Sequence, residues 1–267
     1  MPELDATFAG SIPSIYDRCL GPLIFEPYAE DMARRVAEDA PRSVLETAAG
    51  TGIVTVALAR ALPTAAITAT DLNQSMLDLA ASKRHASSVT FRQADAQALP
   101  FEDGSFDAVV CQFGVMFFQD KPKAYREARR VLRPGGRFLL NVWDRIEENA
   151  FAHVVAQTIQ AAFPDDPPQF MERTPHGYFD TGRIEADLRA AGFGEVATEA
   201  VDLQSRAPSA REPAVGFCQG TPMRSEIEAR DASRLDALTD AAAAAIAQRF
   251  GNGPVAGNIR AFVIVAR

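Results

Sequence analysis

The stretch Val44-Leu45-Glu46-Thr47-Ala48-Ala49-Gly50-Thr51-Gly52-Ile53 decides the fold. A short apolar strand leads into a turn of small residues, and an amphipathic helix follows that turn. Small residues at such a junction let the backbone approach a ligand closely. The first strand–helix junction is therefore predicted to lie at a binding site.

Acidic residues end two further predicted strands. Glu46 closes the first strand, and Asp71 and Asp95 end or follow the next two at similar intervals. A single glycine turn is weak evidence for a ligand site. Three acids in the same register at the carboxyl ends of strands are a much stronger indication of one.

Strands and helices alternate along most of the chain. Nearly continuous apolar runs at 106–113 and 137–143 suit strands that are covered on both faces, as in a parallel sheet between helix layers. Asn73 and Asp120 are predicted helix N-caps, and Gly251 is the predicted stop of a long helix over 233–250. The other strands are predicted near 43–47, 66–70, 89–93, 195–201 and 259–265. This pattern predicts an α/β fold with a doubly wound, seven-stranded, mostly parallel sheet.

These motifs together resemble the class I S-adenosylmethionine (SAM) methyltransferases, which have a Rossmann-like fold. The family's first motif, acid-x-Gly-x-Gly-x-Gly, maps to Glu46, Ala48, Gly50 and Gly52, with Ala48 in place of the first glycine. Alanine adopts a positive φ only at a cost, so this departure is expected to narrow the space beside the ligand. The resemblance covers roughly residues 10–200 and continues through Asp71, Asp95-Ala96, Gln112 and the run 131–136.

The resemblance implies SAM as cofactor, S-adenosylhomocysteine as product, and a role for each motif residue. The helix after Gly52 offers backbone N–H groups and a positive dipole end to the methionine carboxylate. Asp71 would accept both ribose hydroxyls, although it could instead begin a turn with Asn73. Asp95 would accept from the adenine amino group, while the backbone of Ala96 reads the ring. The alternative for Asp95 is a surface turn residue.

Further cofactor contacts are implied by the same resemblance. Leu72 and Met76 would enclose adenine between apolar surfaces, and Met76 is also a core candidate. Gln112, at the end of the fourth strand, would face the methionine part. Glu46 is expected mainly to organise the turn by hydrogen bonding to backbone.

The segments 15–17 and 25–28 resemble the leader of ubiquinone/menaquinone-type small-molecule methyltransferases. In that resemblance Tyr16 closes over the SAM pocket and Phe25 packs beside it. The alternative is a leader that only packs on the sheet. We expect a single domain over 1–267, with a helical leader over 1–40 and a helical lid over 204–253. The resemblance implies that the last strand is antiparallel and inserted beside the fifth.

Composition narrows the partners. The net charge of −8 and pI near 5.0 argue against a nucleic-acid or anionic-membrane surface, which needs clustered Lys and Arg. Three scattered cysteines without a CxxC argue against a disulfide framework or a zinc site, so no metal is expected. The absence of a signal-peptide pattern and of a long apolar stretch predicts a cytoplasmic protein without membrane insertion. We expect a monomer or homodimer that acts on a small-molecule acceptor.

Methyl transfer needs a general base only when the acceptor is a neutral hydroxyl or a carbon acid. His153, early in the helix after strand 5, and His176, in a loop, are the candidate bases. Their alternatives are a polar helix-face residue and an ordinary loop residue. His85 is expected at the end of a helix, exposed to solvent.

The sequence therefore predicts a SAM-dependent methyltransferase that acts on a small, partly apolar metabolite. One alternative is a non-catalytic protein that binds SAM or its product. The other is a dinucleotide-binding oxidoreductase, which lacks support because Thr55 stands where G-x-G-x-x-G requires its third glycine.

Overall fold

The computed structural model describes residues 10–83 and 88–267. These residues form two compact units built from non-contiguous segments. Among the described residues, the helical unit comprises 10–27, Trp143–Gly177 and Asp202–Ala261, and the glycine-loop unit comprises 28–83, 88–142, Tyr178–Val201 and Phe262–Arg267. The single domain over 1–267 stays a prediction. His85 and the first nine residues lie outside the described residues.

The sheet has seven strands in the order β3-β2-β1-β4-β5-β7-β6, which confirms the predicted α/β class. β1 pairs in parallel with β2 on one side and with β4 on the other. β7 lies between β5 and β6, as expected. Arg267 N–H donates to the Glu195 carbonyl at 2.9 Å, so the start of β6 meets the end of β7 and the two strands run antiparallel. The strands are β1 (Ser43–Glu46), β2 (Ala66–Asp71), β3 (Val89–Gln93), β4 (Phe106–Gln112), β5 (Leu132–Trp143), β6 (Val196–Ala207) and β7 (Val255–Ala266).

Helices occupy most of the remaining described chain. A helical run begins with α1 (Ile12–Ile15), continues as a π-helix (Tyr16–Phe25), and passes directly into α2 (Glu26–Ala37). Short 3₁₀ turns cover Val115–Phe117, Ile146–Glu148 and Ala232–Arg234. The other helices are α3 (Ile53–Ala61), α4 (Gln74–Ser82), α5 (Lys121–Val131), α6 (Ala150–Ala161), α7 (Phe170–Arg173), α8 (Thr181–Ala190), α9 (Arg211–Gln219), α10 (Met223–Asp231) and α11 (Leu235–Phe250).

Apolar side chains of α2 and α3 pack against the sheet in the glycine-loop unit. Met32 and Leu58 are fully buried in this cluster and contribute one face of each helix, as the helical spacing predicts. The facing strands contribute Val44, Ile67 and Val110. Burial of such side chains contributes about 1.5–3 kcal/mol each, so this cluster fixes the strand end from which the glycine turn departs.

Close helix contacts organise the helical unit. A Cβ added at Gly216 of α9 would lie 2.7 Å from Leu20 Cδ2, so glycine is needed for α9 to approach the π-helix. α11 packs on α6, where the rings of Phe151 and Phe250 meet edge to face at 5.1 Å. Gly251, with φ of 107°, ends α11 as predicted.

Several predicted bounds need correction. β6 extends to Ala207, so the first four residues of the span expected to form the lid are strand. Exposed Asp202 and Gln204 alternate with less exposed Val201, Leu203 and Ser205, so a period-two pattern was the available signal for this part of the strand. The helical leader was expected to extend to residue 40, but its last helix, α2, ends at Ala37. Asn73 occupies the N-cap of α4, but its side chain makes no capping bond.

Candidate functional site

The glycine loop between β1 and α3 contains three left-handed residues. Ala48, Gly50 and Gly52 have φ values of 53°, 56° and 79°. A Cβ on Gly52 would also lie 2.9 Å from the Cβ of Ala80, so both its conformation and its neighbour require glycine. Ala48 holds the same conformation with a side chain, at a cost of about 1–2 kcal/mol.

The methyl group of Ala48 fits because residue 114 has no side chain. A Cβ added at Gly114 would lie 2.4 Å from the Ala48 Cβ and 2.8 Å from the Sγ of Cys111. The preceding residue, Phe113, also has a positive φ of 51°. The close approach of the glycine loop to the end of β4 therefore depends on glycine at residue 114.

Glu46 is buried at the end of β1. Its carboxyl oxygen Oε2 accepts a hydrogen bond from the Thr55 hydroxyl at 2.6 Å, in the first turn of α3. Burial raises the pKa of Glu46 to about 8, and the Thr55 hydrogen bond opposes that rise. Glu46 thus connects the strand to the helix across the loop.

Asp71 ends β2 beside the same loop and is also buried. One carboxylate oxygen accepts the Gly50 N–H at 2.8 Å, and the other accepts the Asn73 N–H at 2.8 Å. Burial raises the pKa of Asp71, and these backbone hydrogen bonds oppose the rise. A carboxylate oxygen has more than one acceptor site, so the two bonds orient the group and leave acceptor capacity on both oxygens.

Apolar surface lies next to this carboxylate. Leu72 is 57% exposed, although leucine is usually buried. Met76 is buried, and its terminal methyl would lie 3.8 Å from a Cβ added at Gly50. The structure therefore gives Leu72 an open apolar surface and places Met76 in the core next to the glycine loop.

Asp95 follows β3 in a turn that also contains Ala96. Its Oδ1 accepts the main-chain N–H of Gln97 at 2.8 Å. The side-chain amide of Gln97 donates to the same oxygen at 3.1 Å. Sequence reasoning missed Gln97, because such a turn needs only the Asp95 side chain and the main-chain N–H of residue 97 and does not mark the side chain at that position.

Gln112 lies half-buried at the end of β4. The amide of Asn141, from β5, donates to Gln112 Oε1 at 3.4 Å and accepts the Phe113 N–H at 2.9 Å. Asn141 is fully buried and was not predicted. A lone amide inside the apolar run of β5 was the available signal, because buried polar groups need partners.

The remaining predicted residues belong to the helical unit. His176 is 5% exposed, and its Nδ1 lies 2.8 Å from the Asp144 carbonyl, which makes Nδ1 the protonated nitrogen. Burial lowers the pKa of His176 to about 4, so its imidazole is neutral at pH 7. His153 is half-buried near the start of α6.

Four aromatic side chains contact one another in a row in the helical unit. Tyr16 and Phe25 stack with centroids 4.8 Å apart, Phe25 meets Trp143 at 6.0 Å, and Trp143 meets His176 at 6.2 Å. Phe25 follows Tyr16 by nine positions, which would put the two rings on opposite sides of an α-helix. The wider i→i+5 winding, roughly 4.4 residues per turn, returns them to the same side.

The structure thus brings together one set of predicted residues at the carboxyl ends of β1, β2, β3 and β4. In an open α/β sheet, this edge is where ligands bind. Tyr16, Phe25, His153 and His176 lie in the helical unit. The set in the glycine-loop unit is Glu46, Ala48, Gly50, Gly52, Asp71, Leu72, Met76, Asp95, Ala96 and Gln112.

The described residues contain neither a grouped set of metal ligands nor a membrane-spanning helix. Within residues 10–83 and 88–267, no three His, Cys, Asp or Glu side chains are grouped so that they could hold a metal ion. None of the helices in the described part of the chain is long and apolar enough to cross a membrane.

Comparison with known proteins identifies the family to which this chain belongs. A family model described as a methyltransferase domain matches residues 45–140, which include the glycine loop and Asp71. This match, together with the relatives described next, shows that the chain belongs to the class I SAM-dependent methyltransferases.

Two relatives have names from quinone biosynthesis. The chain is 39% identical over 169 residues to the ubiquinone/menaquinone biosynthesis C-methyltransferase UbiE of Escherichia coli, covering 58% of this chain and 67% of that protein. It is 40% identical over 129 residues to the demethylmenaquinone methyltransferase of Thermus thermophilus, covering 48% of this chain. That match spans 59% of the T. thermophilus protein, less than two thirds of its length.

A solved structure supports the fold alone. The YcgJ protein of Bacillus subtilis superposes with a TM-score of 0.57 at 22% sequence identity. The match covers 90% of this chain and 97% of that one. The fold is therefore similar along nearly the whole chain.

Proposed function

We propose that this protein transfers a methyl group from SAM to a small, partly apolar metabolite. The observation that carries the proposal is the Asp71 carboxylate, which is oriented by the Gly50 and Asn73 N–H groups beside a left-handed glycine loop. Acceptor capacity on both oxygens suits a vicinal diol such as a ribose. The family membership supports the same cofactor.

The residues of the glycine-loop unit fit the parts of SAM. Asp71 would hold the ribose, and Leu72 would offer its exposed side chain to adenine. Asp95 and Ala96 would bind the adenine edge. Gly50 and Gly52 would let the ligand approach the backbone, and Gln112 would face the methionine part. Tyr16 and Phe25 stay predicted contacts from the helical unit.

When bound, SAM supplies an electrophilic methyl group on sulfur. The protein has to hold the acceptor atom in line with that methyl group, and such alignment lowers barriers by about 7–11 kcal/mol. His176 and His153 remain the candidate bases for an acceptor that must lose a proton. The Nδ1–H of His176 faces the Asp144 carbonyl and leaves Nε2 unprotonated, but burial that lowers the pKa of His176 to about 4 makes it a weak base at neutral pH.

We propose a hydroquinone-type aromatic ring as the first acceptor class to test. Two relatives at about 40% identity carry quinone-biosynthesis names, and one of these names specifies C-methylation. The cytoplasmic location and the monomeric or dimeric state stay predictions.

Cofactor binding is tested by calorimetric titration with SAM and S-adenosylhomocysteine. We expect both to bind the native protein, and Asp71→Ala to lose at least about tenfold in affinity because charged hydrogen bonds to the ribose disappear. Asp78→Ala, an exposed acid on the adjoining α4, is the matched control and should bind normally. Unchanged affinity in a folded Asp71→Ala variant would contradict the ribose assignment.

Turnover separates an enzyme from a protein that only binds SAM. Methyl-labelled SAM is incubated with reduced naphthoquinones, simple phenols or fatty acids, and the label is followed into the organic product. We expect label on a ring carbon of the reduced naphthoquinone. Tight SAM binding without transfer to any of these acceptors would favour the non-catalytic alternative.

A further inference from the structure

Gln97 makes hydrogen bonds in two directions, neither of which the sequence motifs account for. Its side-chain NH₂ donates to Asp95 Oδ1 at 3.1 Å and approaches Oδ2 at 3.5 Å. Its side-chain carbonyl accepts the main-chain N–H of Asp120 at 2.7 Å. Gln97 therefore connects the turn after β3 to the N-cap of α5.

The two carboxylate oxygens of Asp95 accept different hydrogen bonds. Oδ1 accepts hydrogen bonds from the Gln97 main-chain N–H and from its side-chain amide, which lies closer to Oδ1 than to Oδ2. Among the described residues, Oδ2 has only the long contact from Gln97 and keeps acceptor capacity. Because a carboxylate can rotate about its Cβ–Cγ bond, the amide of Gln97 selects which oxygen is presented and in which plane.

A fixed acceptor discriminates between purine rings. Adenine carries an amino donor at position 6, whereas hypoxanthine carries a carbonyl oxygen that repels a carboxylate. The strength of this discrimination depends on how well the acceptor is held, since a mobile carboxylate can turn away from the unfavourable group.

We propose that Gln97 is a positioning residue that orients Asp95 and so sets the selectivity of the cofactor site for a 6-amino purine. This inference rests on the proposed SAM site. Gln97 acts through Asp95, so its contribution should disappear when Asp95 is removed.

The test compares binding of S-adenosylhomocysteine with that of S-inosylhomocysteine, its 6-oxo counterpart, by calorimetry. We expect the native protein to prefer the adenosyl ligand roughly tenfold or more. Gln97→Ala should weaken adenosyl binding roughly three- to tenfold, with little change for the inosyl ligand. Asp95→Ala should abolish the preference, and adding Gln97→Ala to it should cause no further loss.

Gln97→Glu separates orientation of Asp95 from simple anchoring of the α5 start. It keeps an acceptor for the Asp120 N–H but replaces the donor facing Asp95 with a carboxylate. If Gln97 orients Asp95, Gln97→Glu should lose selectivity at least as much as Gln97→Ala. Selectivity like that of the native protein would overturn the proposal. Exposed Gln157, on α6, provides the control substitution Gln157→Ala.

The outcomes also distinguish this proposal from the proposed function. If the native protein binds the adenosyl ligand but Gln97→Ala weakens binding of both ligands equally, the role of Gln97 is overturned and the SAM site stands. Failure of the native protein to bind either ligand would overturn both proposals. Thermal unfolding of each variant establishes that it is folded.

Discussion

At the residue scale, the contact between Ala48 and Gly114 shows how one motif position depends on a distant one. Alanine was expected to narrow the ligand space because it replaces the motif's first glycine. The structure shows its methyl group directed toward Gly114, at the end of β4. The loop gives residue 48 a positive φ whether glycine or alanine stands there. Whether the methyl group of alanine fits is therefore decided by the space at residue 114.

This contact predicts a coupled pair of substitutions. Gly114 has an ordinary φ of −102°, so Gly114→Ala should destabilise through the clash alone, by about 1–3 kcal/mol. Ala48→Gly should relieve strain at residue 48 and restore part of that loss in the double variant. Recovery is partial because the Cys111 Sγ would remain 2.8 Å from the new methyl group.

Urea unfolding of the four proteins measures this interaction free energy. Gly194→Ala is the control, because a Cβ there would meet its nearest atom at 4.0 Å. Additive effects of the two substitutions would contradict direct contact between the residues.

At the element scale, α5 was predicted from its local chemistry and the structure explains its start. Asp120 is the N-cap, and its carboxylate accepts the Lys123 N–H at 2.9 Å. Pro122 lies in the first turn, where its missing N–H carries no penalty. The glycine turn likewise located the start of α3 after Gly52.

Removal of this cap should cost about 1 kcal/mol. Asp120→Ala is expected to lower the thermal unfolding midpoint, while Asp120→Asn keeps an oxygen acceptor and should lower it much less. Equal losses in both variants would point to the charge of Asp120 and its attraction to the helix dipole as the source of the stability.

Elements that depend on distant pairing were harder to predict. β6 is an outer strand with many exposed positions, so its sequence lacks the apolar run that identified β4 and β5. The carboxyl ends of the inner strands were located because each carries an acid or small residues. The partners Asn141 and Gln97 were missed because their roles arise from residues that only the folded chain brings near.

At the scale of the whole molecule, buried Glu46 makes stability depend on pH. Its pKa is about 8 in the folded protein against 4.5 for an unperturbed carboxyl. The unfolded chain therefore releases this proton first, and the folded state loses stability as pH rises from 4.5 to 8. The limiting slope is about 1.4 kcal/mol per pH unit.

Glu46→Gln should flatten this dependence while keeping an acceptor for the Thr55 hydroxyl. The free energy of unfolding, measured in urea at several pH values between 4.5 and 8, checks the prediction. Glu102→Gln, at an exposed site, should retain the native pH profile. A native profile in Glu46→Gln would mean that other groups govern the pH dependence.

The π-helix makes the leader sensitive to its length in residues. Tyr16 and Phe25 share a side only because each turn between them takes up more residues than an α-turn. With one residue deleted and ordinary α-helical winding, eight positions would separate the two rings and leave Tyr16 about 80° from Phe25 around the helix axis. Point substitutions change the chemistry of one ring at a time, whereas a deletion of three nucleotides would change which residues are neighbours.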